Sequence, residues 1–222
     1  MKVKICGVTR PAEALLAAEL GADFLGLNFF PPSPRYLEPP AAAEIAAAVR
    51  ERAAHVRLVG VFVNRPLDEV EDIADGVGLD LLQFHGDETA AVLRPVAARA
   101  IKAVRVAGRL DASAVADFDD VWGFLFDVRH PRLYGGSGES WDFSTLNALT
   151  PGARRKPTFI AGGLGPANVR AAVDACAPWG VDVCSGVEAS PGRKDPELLR
   201  RLFAEIAVLR KERTDGQSPV TT

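Results

Sequence analysis

The sequence predicts a single-domain α/β fold of the (β/α)8 TIM barrel type, in which eight parallel strands alternate with helices. Three observations carry this prediction: short apolar runs alternate with helix-forming stretches, the alternation recurs eight times within 222 residues, and Gly-flanked polar motifs follow several of the runs. Near-continuous apolar strands separated by helical stretches indicate a parallel sheet covered by helices. An open doubly wound sheet is the structural alternative, but no GxGxxG motif follows the first apolar run.

Each predicted unit is an apolar run followed by a stretch of helical composition. The predicted strands are residues 3–6, 23–30, 57–63, 81–84, 101–106, 123–128, 158–161 and 181–184. The predicted helices are residues 10–20, 41–52, 67–75, 88–98, 112–117, 144–149, 166–176 and 196–209. In the first helix, Pro11 suits a first turn. The barrel domain is expected over residues 1–210, and residues 211–222, which lack apolar periodicity, are expected to form a disordered tail.

Composition restricts the class of protein. With 48% hydrophobic and 25% charged residues, the chain has the make-up of one globular domain. A net charge of -3 with scattered Lys and Arg gives no basic stripe, so neither nucleic acid nor a membrane surface is expected as a partner. The chain shows no apolar stretch of about 20 residues and no apolar signal-peptide core at its start. We therefore expect a cytoplasmic location.

The cysteines argue against a structural role for disulfides or zinc. Cys6, Cys176 and Cys184 are odd in number and form no CxxC pair. We expect all three to be free thiols, and no metal site.

Residues that follow the strands of a barrel face one mouth, where ligands bind. Two strings after the last two predicted strands, AGGLG at 161–165 and CSGVE at 184–188, stand where barrels most often bind phosphate. Glycine lets a backbone N–H approach an anion, and a helix N-terminus favours negative charge, although tight barrel turns alone would explain some of these glycines. The predicted phosphate-binding residues are Gly162, Gly163, Leu164, Ser185, Gly186 and Val187.

Seven strings together resemble phosphoribosylanthranilate isomerase. They run in that family's order, from residue 2 to about 209, which makes the resemblance specific. The strings are KICGVT (4–9), PPSPRY (31–36), GVFVN (60–64), LQFHG (82–86), GGSG (135–138), AGGLGPANV (161–169) and DVCSGVEASPGRKD (182–195).

The resemblance implies an enzyme of tryptophan biosynthesis that carries out an Amadori rearrangement of N-(5-phosphoribosyl)anthranilate without a cofactor or metal. Its ligand would be a small phosphorylated aminosugar, and the protein would be a monomer or homodimer. Asp127 matches the family's general acid and Cys6 its general base. From the residues alone, Asp127 also fits a strand-end loop cap and Cys6 a small buried hydrophobe.

Other positions have more than one interpretation. Arg35 matches a clamp for the anthranilate carboxylate, since a guanidinium presents paired donors, but a solvated loop charge is the alternative. His85 is expected to orient substrate, to act in acid–base chemistry or to line the wall, and Gln83 to contact substrate or to line the wall. Asp182 is expected to bind near the anilino group or to hold its loop. Cys184 replaces the usual Ser of the family's SSG signature and is a weaker hydrogen-bond donor.

The sequence alone leaves two alternative functions. One is another phosphosugar barrel, either indole-glycerol-phosphate synthase or a dual-substrate isomerase that also serves histidine synthesis. The synthase would need an early catalytic Lys and Glu pair that the sequence does not place. The other is a non-catalytic phosphosugar-binding protein, against which the presence of both Cys6 and Asp127 speaks.

Overall fold

The computed structural model describes residues 1–106, 112–128 and 155–215. Eight parallel strands close into a barrel in chain order, and the last strand pairs with the first. The strands are β1 Lys2–Cys6, β2 Phe24–Asn28, β3 Arg57–Phe62, β4 Leu81–Phe84, β5 Ala100–Val106, β6 Gly123–Val128, β7 Thr158–Ala161 and β8 Gly180–Val183. The predicted barrel is confirmed and the open sheet is excluded, because an open sheet would leave its two outermost strands with one neighbour each.

Helices follow most of these strands within the described residues. The α-helices are Pro11–Leu20, Pro39–Arg52, Leu67–Val77, Ala90–Leu93, Val169–Cys176 and Pro196–Asp215. Single 3-10 segments are Arg94–Arg99, Ala112–Val115 and Ser185–Val187. After the last of these, an antiparallel hairpin forms from β9 Glu188–Ser190 and β10 Arg193–Lys194. This hairpin begins at the last residue of the CSGVE string, and the sequence pattern does not predict it.

The core has two parts because side chains alternate between the two faces of a strand. In β2, Leu25 and Leu27 pack outward beneath the helices, whereas Phe24 packs into the barrel interior. The ring of Phe24 meets Phe159 edge-on, with centroids 5.3 Å apart, and lies 5.8 Å from Trp179. These aromatic rings fill the end of the barrel where the strands begin. A ligand therefore has access from the opposite mouth.

Two predicted helices differ from the structure. Residues 88–98 form one short α-helix and then the 3-10 segment Arg94–Arg99, because Pro95 lacks the N–H needed to continue an α-helix. The predicted helix at 112–117 is a single 3-10 turn. The helix expected at 144–149 and the GGSG string at 135–138 lie outside the described residues.

The C-terminal boundary also differs. The expected tail begins at residue 211, but the last helix continues to Asp215. Arg210 holds this helix to the start of the barrel, with Nη2 2.7 Å from Asp23 Oδ2 and Nε 3.1 Å from the Met1 carbonyl. Two residues further on, Glu212 pairs with Arg170 at 2.9 Å. These contacts, added to the helix propensity of Lys, Glu and Arg, extend the helix; residues 216–222 lie outside the described part of the chain.

None of the helices in the described ranges has both the length and the apolar character that crossing a bilayer requires.

Candidate active site

The predicted site residues gather at the carboxyl end of the barrel. Cys6 ends β1, Asp127 lies near the end of β6, and Asp182 lies within β8. Gln83 and His85 lie at the end of β4 and just after it, and the remaining predicted residues lie on loops after β2, β7 and β8. In a closed ring of eight strands, β1 and β6 are separated by β7 and β8. The candidate base and acid therefore approach the mouth from different walls.

A buried ion pair lies beneath the mouth. Lys4 on β1 stands opposite Asp182 on β8, and Lys4 Nζ is 2.9 Å from Asp182 Oδ1. Burial disfavours the charge on Lys4, but the carboxylate of Asp182 and the sulfur of Cys6 outweigh it and raise the pKa of Lys4. Burial raises the pKa of Asp182 to about 7, against the opposing effect of the ammonium. The pair thus places a fixed cation two residues before Cys6 on β1, on the same face of the strand.

The Cys6 thiol lies beside this cation. A Cβ built on Gly26 would be 2.8 Å from Cys6 Sγ and 3.1 Å from Lys4 Nζ, so both atoms flank one small space. A hydrogen bond from the Cys184 thiol lowers the pKa of Cys6 well below its usual value, and the charges of Lys4 and Lys194 lower it further against the effect of burial. The same contact raises the pKa of Cys184. The geometry favours a thiolate at Cys6 with a neutral thiol at Cys184.

A second ionic cluster lies on the hairpin after β8. Glu188 accepts two hydrogen bonds from Arg35, from Nε at 2.8 Å and from Nη2 at 2.5 Å. Lys194 Nζ donates to Glu188 Oε1 at 2.9 Å and to the Cys184 carbonyl at 3.1 Å, and lies 3.9 Å from Cys184 Sγ. Although burial opposes its charge, these two cations lower the pKa of Glu188. The cluster therefore holds a carboxylate and two cations at the edge of the mouth.

The Arg35 loop is fixed locally as well. Ser33 Oγ accepts a hydrogen bond from the Arg35 backbone N–H at 3.1 Å, and the Asn28 side-chain amide lies 3.2 Å from the same oxygen. Glu188 occupies the Nε–Nη2 edge of the guanidinium, which leaves the Nη1–Nη2 edge without a hydrogen bond to any other side chain in the described part of the chain. The loop after β1 packs against the Arg35 side chain, which requires glycine at position 7. Gly7 has φ of 69°, and a Cβ there would lie 2.5 Å from Arg35 Cδ.

On the opposite wall, Asp127 is 7% exposed and its Oδ2 lies 3.4 Å from His85 Nε2. Gln83, almost completely buried, brings Nε2 within 3.1 Å of His85 Nδ1. The Oε1 atom of Gln83 is buried without a hydrogen-bond partner in the described part of the chain. Gln83 therefore orients the imidazole, and the imidazole in turn contacts the carboxylate.

The two predicted phosphate loops contact each other. Gly162 and Gly163 have φ of 109° and 64°, and Asn168 closes their loop by accepting from Gly165 N at 2.8 Å and donating to Gly163 O at 3.0 Å. Gly186 packs so closely on the Leu164 carbonyl that a side chain there would overlap it. Leu164 and Val187 are buried and fix the two loops, whereas Ser185 begins the 3-10 turn.

Three functional side chains were not identified from the sequence: Lys4, Glu188 and Lys194. The signal for Lys4 was available, since a lysine between Val3 and Ile5 in an apolar strand must find a buried anion. Glu188 and Lys194 lie in the string DVCSGVEASPGRKD at 182–195, and the spacing of the residues in this string does not indicate which side chains they contact.

Comparisons with known proteins agree with this geometry. The family model described as N-(5'phosphoribosyl)anthranilate (PRA) isomerase matches residues 3–205. An N-(5'-phosphoribosyl)anthranilate isomerase from Citrifermentans bemidjiense is 50% identical, covering 92% of this chain and 96% of the relative.

Two solved structures show the same fold. The phosphoribosyl anthranilate isomerase of Thermus thermophilus is 36% identical with a TM-score of 0.82, covering 95% of this chain and 100% of that one. A phosphoribosyl anthranilate isomerase in complex with reduced 1-(o-carboxyphenylamino)-1-deoxyribulose 5-phosphate is 34% identical with a TM-score of 0.81, covering 94% and 99%. From the family match and these similarities, the chain belongs to the N-(5'-phosphoribosyl)anthranilate isomerase family.

Proposed function

We propose that this mouth converts N-(5-phosphoribosyl)anthranilate to 1-(2-carboxyphenylamino)-1-deoxy-D-ribulose 5-phosphate by an Amadori rearrangement. As a member of its family, the chain is an isomerase of tryptophan biosynthesis. The rearrangement protonates the furanose ring oxygen, opens the ring, and removes a proton from the carbon next to the anomeric centre. Side chains that donate and accept a proton are sufficient for this chemistry.

Cys6 is the proposed general base, and its surroundings are the observation that carries the proposal. A thiol accepts a proton only as the thiolate, and an ordinary cysteine with a pKa near 8.5 is mostly protonated at neutral pH. Here Lys4, Lys194 and the Cys184 thiol all favour the thiolate. Cys6 is the last residue of β1, at the carboxyl end of the barrel where a substrate would bind.

Asp127 is the proposed general acid. Its carboxyl group is buried on the wall away from β1, so it reaches the ring from a different side than Cys6 does. His85 lies 3.4 Å from this carboxyl group and supports its orientation. Asp182, by contrast, is engaged with Lys4 below the mouth. We therefore assign Asp182 to holding that ammonium rather than to the anilino group.

The two ends of the substrate carry negative charge, and the site offers a partner for each. The Nη1–Nη2 edge of Arg35 suits the anthranilate carboxylate, because Glu188 holds the other edge and fixes the guanidinium plane. The loops after β7 and β8 suit the phosphate, since Gly162 and Gly163 adopt positive φ in a loop without side chains and Gly186 packs this loop directly against the next one. The cytoplasmic location and the choice between monomer and homodimer stay predictions from sequence.

The proposal is tested by following the fluorescence of phosphoribosylanthranilate as purified protein consumes it, with a histidine-pathway aminoaldose assayed in parallel. We expect turnover of the first compound and its near-complete loss in Cys6→Ala. Cys176→Ala is the matched control, because Cys176 lies on the helix Val169–Cys176 and bonds only to the Ala172 carbonyl in the described structure. Failure to turn over either compound would overturn the isomerase assignment, and turnover by Cys6→Ala would overturn the assignment of the base.

A further inference from the structure

The two cysteines at the mouth lie at the ends of neighbouring strands, Cys6 as the last residue of β1 and Cys184 one residue beyond β8. β1 and β8 pair in parallel with Lys4 opposite Asp182, and continuing this register by two residues brings Cys6 opposite Cys184. Side chains two residues apart on a strand point the same way. Since Lys4 and Asp182 meet at 2.9 Å, the register places the two cysteine side chains on the same face of the barrel wall as this ion pair.

The spacing of this pair suits a disulfide. Adjacent strands in a sheet lie about 4.8 Å apart. Disulfides join residues whose Cα atoms are about 4.4–6.8 Å apart, so the spacing of two neighbouring strands falls within this range. The side chains of Cys6 and Cys184 are already close enough for each to shift the pKa of the other. Gly7, the residue after Cys6, brings the backbone so close to Cys184 that an added Cβ would lie 3.1 Å from its Sγ.

The surroundings also provide the reactivity. A thiolate near buried ammonium groups is the form of cysteine that attacks peroxides, and Lys4 and Lys194 are both buried beside this pair. Lys194 Nζ lies 3.9 Å from Cys184 Sγ. Its ammonium therefore stabilises a thiolate at Cys184 after Cys6 has given up its negative charge.

We propose that Cys6 and Cys184 form a reversible oxidation site for small hydroperoxides, which closes into an intramolecular disulfide and inactivates the enzyme. The Cys6 thiolate attacks one peroxide oxygen, the O–O bond breaks, and the products are the Cys6 sulfenic acid and a hydroxide or alkoxide, which takes the proton of the Cys184 thiol and leaves as water or an alcohol. The Cys184 thiolate then attacks the Cys6 sulfur, an S–S bond forms, and hydroxide leaves to the solvent. Overall, one thiolate and one thiol lose two electrons, and the peroxide is reduced to water or an alcohol and one hydroxide.

The disulfide itself does not depend on the proposed function, although its effect on turnover does. The full chain is treated with increasing hydrogen peroxide, free thiols are then alkylated, and peptides are mapped by mass spectrometry without reduction. We expect a peptide that joins Cys6 to Cys184 and lacks two hydrogens, with loss of isomerase activity in proportion to the linked fraction. Dithiothreitol should restore nearly all of that activity.

Two variants separate the pair from other oxidation chemistry. Cys184→Ser removes the second sulfur, so Cys6 should oxidise to sulfinic acid, and dithiothreitol should restore a much smaller share of that variant's own starting activity. Cys176→Ser should behave as the wild type does. A Cys6–Cys176 or intermolecular link, no link at all in inactivated protein, or equal recovery in Cys184→Ser would overturn the inference. A linked protein that never isomerised the substrate would instead refute the proposed function alone.

Discussion

Removing the Lys4 ammonium should destabilise the barrel in a pH-dependent way. Lys4 is completely buried, and its Nζ lies 2.9 Å from Asp182 Oδ1. The substitution Lys4→Met keeps a similar length of apolar side chain and leaves Asp182 without its cation. Removing one partner of a buried ion pair costs about 3–5 kcal/mol, which corresponds to a melting temperature lower by about 6–20 °C in a chain of this size.

The pH dependence follows from the carboxyl group. In the folded wild type the pKa of Asp182 is about 7, above its unfolded value of about 3.9. A group whose folded pKa is raised contributes its stability below the unfolded pKa, and that stability falls as the pH rises toward the folded pKa. Without the ammonium the folded pKa rises further, so the loss continues to higher pH. The deficit of Lys4→Met relative to the wild type should therefore grow as the pH rises above about 7.

The measurement is urea unfolding of both proteins at pH 6 and pH 9, reported as the free energy of unfolding. The control is the double substitution Lys4→Met with Asp182→Leu, which removes the buried charge altogether. We expect this variant to recover most of the lost stability, because apolar residues can replace a buried ion pair at little cost. A deficit that is the same at both pH values, or a double variant no more stable than the single one, would refute the reasoning.

Other predictions concern the site directly. Asp127→Asn should fold normally and lose about a hundred- to ten-thousand-fold in kcat; a well-folded variant that keeps more than about a tenth of the activity contradicts the acid role. Arg35→Met should weaken binding of a product analogue far more than that of the same analogue lacking its carboxylate, measured by calorimetry, and equal losses would assign Arg35 to loop structure. Gly186→Ala should raise KM, because the new methyl group displaces the β7 loop, whereas Gly76→Ala, with no atom within 4 Å, should not. The low pKa of Cys6 should keep kcat/KM on a plateau at pH 8, where a normal thiol would still be titrating; a rate still rising tenfold per pH unit would contradict it.

The barrel could be predicted from sequence because its signal is local. Each apolar strand is followed by a loop and a helical stretch, and the closure of eight such units brings the strand ends together whatever their order in the chain. Cys6, Asp127 and the loops after β7 and β8 reached the mouth for that reason alone. The predicted helix at 88–98 is wrong for an equally local reason, since Pro95 lacks the N–H that would continue an α-helix.

The partners of these residues could not be predicted in the same way. Arg35 and Glu188 are 153 residues apart and meet only because the hairpin after β8 folds back toward the β2 loop. Lys194 reaches Glu188 across that hairpin, with an irregular register that no spacing rule describes. Which charge contacts which therefore depends on loop geometry, and sequence patterns indicate loop geometry least.

The charges around Cys6 explain why this cysteine is suited to act as a base. Three cations surround the mouth near β1: Lys4, Arg35 and Lys194. Two carboxylates pair with them, Asp182 with Lys4 and Glu188 with the other two. With both carboxylates ionised, the set carries one excess positive charge, and a thiolate at Cys6 neutralises it. The ion pairs hold these cations in place before any substrate arrives, so no reorganisation is needed when the thiolate accepts its proton. In the proposed reaction, the proton that leaves the sugar would therefore be received by a sulfur whose negative charge is already part of the resting structure.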